Sequence, residues 1–389
     1  MVKLNVKVLA STSPGQQLDL EMAKSFSGKS AGICYMPDSF EAILAEPTEK
    51  TMKRANQTLL SGHHSVFDHI SYSLLLEGLP KILAMVLNNE KVYSTSEKSA
   101  RYTRMQPSER EIVIYDKWQS ILAERIMLVY PETSPEKAKK LAQENARYMI
   151  SVFTPTTMEY TTTLRQWNYI IHWFKKFISE ESPNALAERL KEPMVEFVEK
   201  TQFLFIPSLN DEAKGRSLSL FDSRIERQES FGESYCTTYL GSFAQLAQAH
   251  RHRTLDYKMR MLDEPQYFIP SIITNDDQLV IEWLSDIKSV SNLFPQGMMI
   301  SIRERGTYEN FILKTKERLC SSAQLEISLQ TWKTLQLYLA KLCLGNTRFA
   351  LDSEVFSILN KYNYESRCGA GFKCVNPCEW GLGQLERLV

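Results

Sequence analysis

No stretch of this chain stays apolar for the roughly 20 residues that a membrane-crossing helix needs. Its opening, MVKLNVKVLASTSPG, lacks the basic-then-apolar layout of a secretory signal. An excess of charge of either sign is also missing. Lys plus Arg number 46 and Asp plus Glu 46, so bulk electrostatics gives no reason to expect nucleic acid or a membrane surface as partner. Cysteines are few, odd in number at seven, and mostly scattered, which argues against a secreted disulfide framework and makes the cytoplasm the expected compartment. There is no Gly-rich phosphate loop, no dinucleotide fingerprint, no Ser–His–Asp arrangement, no short-period repeat and no low-complexity tract. Any chemistry here therefore has to proceed without a conventional protein nucleophile.

What is present is an ordinary globular composition, 43% hydrophobic and 24% charged over 389 residues, long enough for two domains with substantial cores. The patterning is mixed α/β (α+β), with more helix than strand. KLNVKVLAS reads as a first strand and ISYSLLLEG as a half-buried one, because polar and apolar residues alternate. Helical spacing runs through QLDLEMAKSFS, through FEAILAEPTEKTMKRANQTLLSG up to Gly62, through PEKAKKLAQENARYMISVF and TTTLRQWNYIIHWFKKFI, and from Ala187 to Gln202. PSLNDEAKGRS carries the turn residues of a boundary. Beyond it the order of elements recurs: TYLGSFAQLAQAHRHR parallels EGLPKILAMVLNNEK, and ENFILKTKERLCSSAQLEISLQ parallels the helices that close the first half. The expectation is two tandem copies of one domain, each a mixed sheet flanked by helices. Their bounds would be 1–206 and 207–345, followed by a cysteine-containing extension, 346–389.

Five of the six histidines fall in two short segments. GHHSVFDH holds His63, His64 and His69, with Ser65 and Asp68 between them. This is either a metal site or a helix-start motif with a ligand contact. Adjacent histidines point about 100° apart on a helix, and no established zinc spacing is present. QAHRHR places Arg251 and Arg253 around His252 at the end of an apolar helix, FAQLAQA. Guanidinium groups there suit phosphate oxygens, although cations are also favoured at any helix C-terminus. SEKSARYT sets Ser99 two residues before Arg101, either a phosphate clamp or an unremarkable loop. RCGAGFKCVNPCEW brings Cys368, Cys374 and Cys378 close in sequence, with Cys343 as a possible fourth thiol. The spacing matches no standard metal motif, so buried or idle thiols are the alternative to zinc or an iron–sulfur cluster.

Taken in order, these pieces resemble the flavin-dependent thymidylate synthases. That family has a Cys-Tyr pair, a Gly-His-x-Ser/Thr-x-x-Glu-His segment, a helix ending in Arg-His-Arg, a Ser-x-Arg-Tyr loop, an Ala-Arg helix, and a late Leu-Arg before Ala-Gln-x-Glu-Ile. The first half carries Cys34–Tyr35, GHHSVFDH, Ser99 to Tyr102, and Ala146–Arg147, but has Asn89, Glu90 and Lys91 in place of Arg-His-Arg. The second half keeps Arg251–His252–Arg253 and ERLCSSAQLEI, with Arg318, Gln324 and Glu326, but has Met261 at the serine position and no Arg-Tyr pair. The losses are complementary. The family's members are homotetramers whose sites draw residues from several subunits, so a fused pair that dropped one motif from each half would still complete one kind of site.

The resemblance implies a methyltransferase that converts dUMP to dTMP at a composite site, using FAD, methylene-tetrahydrofolate and NADPH. Substrate contacts would come from Glu97, Lys98, Ser99, Arg101 and Arg147 of the first half and from Gln248, Arg251 and Arg318 of the second, with Ser99 and Arg251 closest to the chemistry. The flavin would be held by His63, Ser65, Asp68, Arg165, His252 and Arg253. Asp68 stands where the family usually has Glu, and Ser322 where a His often precedes Ala-Gln. The expected assembly is a dimer of fused chains. The rival readings are flavin- and folate-dependent modification of another pyrimidine nucleotide, and a catalytically silent nucleotide-binding scaffold.

Overall fold

The computed structural model describes residues 3–12, 19–101, 103–221, 228–344, 354–361 and 385–389. By spatial clustering the chain divides into two compact units that are interleaved in sequence. The first comprises Met1–Lys98 and Pro155–Leu218, the second Ser99–Thr154 and Ser219–Val389. Each carries one antiparallel sheet with helices against it, a mixed α/β architecture.

The first unit is built on strands β1 (Asn5–Ser11), β2 (Ser71–Pro80), β3 (Ser94–Glu97) and β4 (Pro155–Thr163), in the order β1-β2-β4-β3. Leu74 pairs with Tyr160 across β2 and β4, and their side chains are fully buried with Tyr72, Leu76 and Met158. Tyr160 stacks on Tyr93 at 5.1 Å and meets Trp167 edge-on at 5.4 Å. Trp167 belongs to α7 (Leu164–Ser179), whose start is capped by Thr163, and its indole N–H donates to Tyr72 O at 3.2 Å. Helices α1 (Leu20–Tyr35) and α3 (Thr48–Leu60) cross where α1 has only small residues. A Cβ on Gly28 would sit 2.0 Å from Thr51 O.

The segment 40–62, expected as one helix, is α2 (Phe40–Leu44) and α3, with Pro47 as the N-cap of α3. Proline has no N–H to donate and disfavours helical backbone in the residue before it, so the helix stops there. The threonines expected at the start of α7 close β4 instead. Their branched β-carbons fit a pleated sheet better than a helix. The helix expected over 135–153 ends earlier: α6 (Pro135–Ala146) runs into a 3-10 turn at Arg147–Met149.

The second unit holds β5 (Ser234–Ser242), β6 (Asp256–Met261) and β7 (Met299–Thr307) in the order β5-β7-β6. Its helices include α5 (Glu109–Val129), started by a capping box between Ser108 and Glu111, and α6, α9 (Phe243–Ala249), α10 (Asp277–Ser289), α11 (Tyr308–Arg318) and α12 (Leu325–Leu344). Trp118 of α5 meets Trp283 of α10 edge-on at 4.9 Å, within a core that includes Leu122, Ile126, Ala138, Ala142 and Ile287. Main-chain bonds hold 148–151 in the same unit: Gln296 N to Ile150 O at 2.7 Å and Gly297 N to Tyr148 O at 2.9 Å.

Strand order repeats between the units. In one, β2 leads into α4 (Lys81–Leu87) and β3, and later β4 leads into α7; in the other, β5 leads into α9 and β6, and later β7 into α11. In both, the third strand of the set lies between the other two. No helix among the described residues is long and apolar enough to cross a membrane.

Candidate functional site

The polar centre of the second unit starts at α9. Ser242 caps that helix by accepting from Gln245 N at 3.0 Å, and α9 ends at His250 because the backbone turns out of helix into Arg251–Arg253. Its last turn therefore delivers Gln248 inward, His252 into a buried position, and Arg251 and Arg253 to the surface. Facing it is the C-terminus of α11, where Arg318 donates from Nε to His252 Nε2 at 2.7 Å. A guanidinium can only donate, so His252 Nε2 must be the unprotonated acceptor. Burial, then the charges of Arg318 and Lys314, drive the imidazole pKa down from 6.5 to about 2, and His252 is neutral.

The link between α11 and α12 supplies the next layer. Gln324 is 4% exposed, and its side-chain oxygen accepts from both Arg147 Nη2 and Gln248 Nε2. Its amide nitrogen donates to Tyr148 Oη at 2.5 Å, and Tyr148 donates in turn to Glu326 Oε2 at 2.7 Å. Glu326 also accepts from Ser242 N at 2.9 Å and Ser242 Oγ at 2.7 Å. Burial raises the pKa of Glu326, opposed by these donors and by Arg147. One connected network thus ties the turn after α6, α9 and α12 together. Two of its buried polar atoms, Arg147 Nε and Gln248 Oε1, have no partner among the described residues. Buried groups of this kind are costly unless something pairs with them.

Arg101 approaches the same link. Its guanidinium pairs with Glu144 at 2.9 Å and donates to Ser322 O at 2.7 Å. The loop before it is fixed by Ser99, whose Oγ accepts from Arg101 N at 3.3 Å and whose carbonyl accepts from Thr103 N at 2.9 Å. Gln143 of α6 donates to the carbonyls of Ala100 and Arg101 at 3.4 and 3.3 Å. Arg101, Glu144, Tyr148, Gln324, Glu326 and Arg387 line a cavity of about 200 Å³. Burial lowers the pKa of Arg318, and repulsion from Arg101 and Arg251 adds to it; burial lowers that of Arg147, again with a contribution from Arg101. Arg101 thus acts on both Arg147 and Arg318, and Arg251 on Arg318, a setting in which a bound anion is favoured.

Of the residues expected to meet a substrate, Ser99, Arg101, Arg147, Gln248, Arg251 and Arg318 lie in this unit. Glu97 and Lys98 close the first stretch of the other one. There the Glu97 carboxylate, 2% exposed, pairs with Lys81 Nζ at 2.6 Å, and Lys98 is exposed. Tyr102 lies outside the described residues. The expected flavin contacts divide likewise: His252 and Arg253 belong to the second unit, and His63, Ser65, Asp68 and Arg165 to the first.

In the first unit His63 shares a hydrogen bond with the Tyr35 hydroxyl, and the two rings are edge-on at 5.6 Å. Asp68 pairs with Arg165 and accepts from Thr163 Oγ1 at 2.8 Å, and Ser65 is exposed. Arg165 lies 5.8 Å over the Tyr169 ring while about a third of its side chain (31%) stays exposed. His64 instead serves the fold, buried against Leu59 O and Tyr169 Oη at 3.1 Å each.

Sequence reasoning gave no role to Tyr148, Glu144 or Ser242, or to the fully buried pair Glu304–Lys314 at 2.6 Å, which two tyrosines, Tyr235 and Tyr239, also contact. Alternation along β7 could have exposed Glu304 as an acid at an inward position. The thiols Cys368, Cys374 and Cys378 lie outside the described residues; Cys343 is exposed, and among the described residues no three metal-ligating side chains cluster.

Residues 12–196 match the profile of the family described as thymidylate synthase complementing protein. Over 163 residues the chain is 26% identical to a flavin-dependent thymidylate synthase of Pyrococcus furiosus, an alignment covering 39% of this chain and 63% of that one. A flavin-dependent thymidylate synthase of Clostridium tetani is 27% identical over 158 residues, 35% of this chain and 63% of its own. The chain therefore spans less than two-thirds of the length of these curated relatives. Among solved structures, a UMP/dUMP methylase from Streptomyces cacaoi bound with 5-Br dUMP aligns over 53% of this chain and 93% of its own, at 15% identity and a TM-score of 0.36.

Proposed function

We propose that this chain, a divergent member of the flavin-dependent thymidylate synthase family, methylates dUMP to dTMP at a composite site in its second unit. Residues of the sequence's first half (Ser99, Arg101, Arg147) and of its second (Gln248, Arg251, Arg318) together form that site. The observation that carries the reading is the convergence of Arg147 and Gln248 on the Gln324 side-chain oxygen, with Arg147 Nε and Gln248 Oε1 buried and unpaired among the described residues. A dianionic phosphate and a pyrimidine carrying carbonyl and N–H groups supply what that arrangement lacks.

In this reading Arg101 and Ser99 hold the phosphate and Arg251 closes on it from the opposite loop. Arg318, aimed by the neutral His252, and Arg147 polarise the base, while the Gln324 and Gln248 amides fix its edge. No side chain attacks the ring. The donor set of the first unit fits a flavin nucleotide: His63, Ser65 and a part-exposed Arg165 steadied by Asp68 offer hydrogen bonds and a cation to its phosphates. FAD, when bound and reduced, supplies the electrons, with methylene-tetrahydrofolate as carbon source and NADPH as reductant. The tandem origin of the chain, at 1–206 and 207–345, is part of the same proposal, as are its cytoplasmic setting and its self-association as a dimer. The recurring strand order supports the duplication.

The test is turnover and binding by the purified chain. It should carry flavin absorbance and bind dUMP in preference to dCMP. Arg101→Ala and Arg251→Ala should each lower kcat/KM at least about 100-fold, and Lys91→Ala should leave it unchanged. Full activity in Arg101→Ala would refute the composite site. Preference for another pyrimidine nucleotide would reassign the substrate, and tight dUMP binding without turnover would leave a scaffold.

A further inference from the structure

Residues 385–389 lie far outside the segment matched to the family profile, and they pack into the second unit beside the cavity. Arg387 is only 5% exposed, which is rare for arginine unless its donors are met. They are met by main-chain oxygens: Nη2 donates to Ala323 O at 2.6 Å and Nε to Val389 O at 2.7 Å. On either side of it, Leu388 N donates to Tyr130 Oη at 2.9 Å, and Val389, 7% exposed, joins the core of Trp118 and Trp283. This short segment is therefore held at three points, with a guanidinium in the middle reaching the α11–α12 link.

That link is where the site converges. Successive carbonyls of the link, those of Ser322 and Ala323, accept from Arg101 and from Arg387. The next residue is Gln324, whose single side-chain oxygen receives both Arg147 and Gln248. A rotation of the 323–324 peptide would carry that oxygen away from one donor or the other. The neighbouring bonds hold other atoms: Ala323 N to Cys320 O at 2.9 Å, Ser328 N to Gln324 O at 3.1 Å, and Gln324 Nε2 to Tyr148 Oη at 2.5 Å and Glu144 O at 3.4 Å, whereas Arg387 holds the 323–324 carbonyl itself.

We propose that Arg387 is a positioning residue for the nucleotide site: by clamping Ala323 O it sets the Gln324 amide between Arg147 and Gln248. The inference rests on the functional reading above and adds to it a residue from outside the matched segment. Arg387 need not touch the nucleotide. Its planar fork spans two acceptors at a fixed angle, whereas a lysine offers one compact ammonium that can serve either but not both with the same geometry.

The experiment is a double-mutant cycle read as the Kd for dUMP in the full-length chain. Arg387→Ala should weaken dUMP about tenfold, as loss of a charge-assisted bond does, and Arg387→Lys should fall between it and wild type. Gln324→Ala should cost at least as much, and Arg387→Ala combined with Gln324→Ala should bind no worse than Gln324→Ala alone, because one residue acts through the other. Additive losses, or an Arg387→Ala variant that binds as wild type does, would overturn the inference. Should Arg387→Ala not fold, Tyr130→Phe loosens the same segment from its far end; a Kd raised about threefold supports the clamp, and an unchanged one refutes it. A wild-type chain that binds no nucleotide removes the functional reading itself. Wild-type binding with indifferent variants removes only the role of Arg387.

Discussion

At the scale of single residues the protein places its ionisable groups where burial decides their state. His252 looks in sequence like one more cation between two arginines, yet only Arg251 and Arg253 reach solvent, and the imidazole is buried against Arg318. Its folded-state pKa is depressed to about 2 from the ordinary 6.5. Between those values the unfolded chain binds a proton that the folded chain refuses, so this group's contribution to stability is complete above 6.5 and erodes as pH falls. The stability of wild type relative to His252→Gln, from urea denaturation, should therefore drop between pH 7 and 5 with a limiting slope of about 1.4 kcal/mol per pH unit. Glu326, whose pKa burial raises, acts with the opposite sign but is common to both proteins and cancels in the difference. A pH-independent difference would mean that His252 is not held neutral.

Whole elements are fixed by a few contacts that no periodicity announces. Helix α11 is tied to β7 by Lys314 and Glu304, both wholly buried, with the hydroxyls of Tyr235 and Tyr239 donating to the carboxylate at 2.6 and 2.7 Å. This pair positions the helix that ends in Arg318. Lys314→Met alone strands a buried carboxylate and should destabilise the chain by about 3–5 kcal/mol, whereas Lys314→Met with Glu304→Gln should cost much less. Chemical denaturation of the two variants separates a paired charge from mere bulk. In the other unit, α1 crosses α3 so closely that Gly28 leaves no room for a methyl group. Gly28→Ala should lower stability by about 1–3 kcal/mol despite alanine's better helix propensity, and a stabilised Gly28→Ala would show that the crossing yields freely.

For the molecule as a whole, the informative arrangement is that residues 99–154 cluster with 219–389 rather than with the sheet they leave and rejoin. That is how a serine–arginine loop from early in the chain shares a unit with an Arg-His-Arg turn from late in it. At the corresponding positions elsewhere, Asn89 and Glu90 are buried at 7% and 4%, and Met261 ends β6. The complementary-loss proposal therefore expects one dUMP bound per chain, not two, measured by equilibrium dialysis at saturating nucleotide. Two equivalent sites per chain would refute it.

Much of this was legible from residue order. The mixed α/β class, β1 and β2, α1 and the helix α8 (Ala185–Thr201) follow from alternation and helical spacing, since these patterns are short-range. The arginine, glutamine and histidine motifs were visible because rare residues cluster in them. Where local signals competed, the sequence misled: Pro47 broke one expected helix, and a run of threonines gave the start of another to β4. Only the tertiary structure decided that His64 serves packing, that Glu97 is matched to Lys81, and that Tyr148, Gln324 and Glu326 form one buried network. Residue order alone determined which chemical groups this protein possesses. Their pairing across more than 170 positions, as from Arg147 to Gln324, depends on which helix faces pack together, and that is settled by the burial of the whole chain rather than by any local stretch of it.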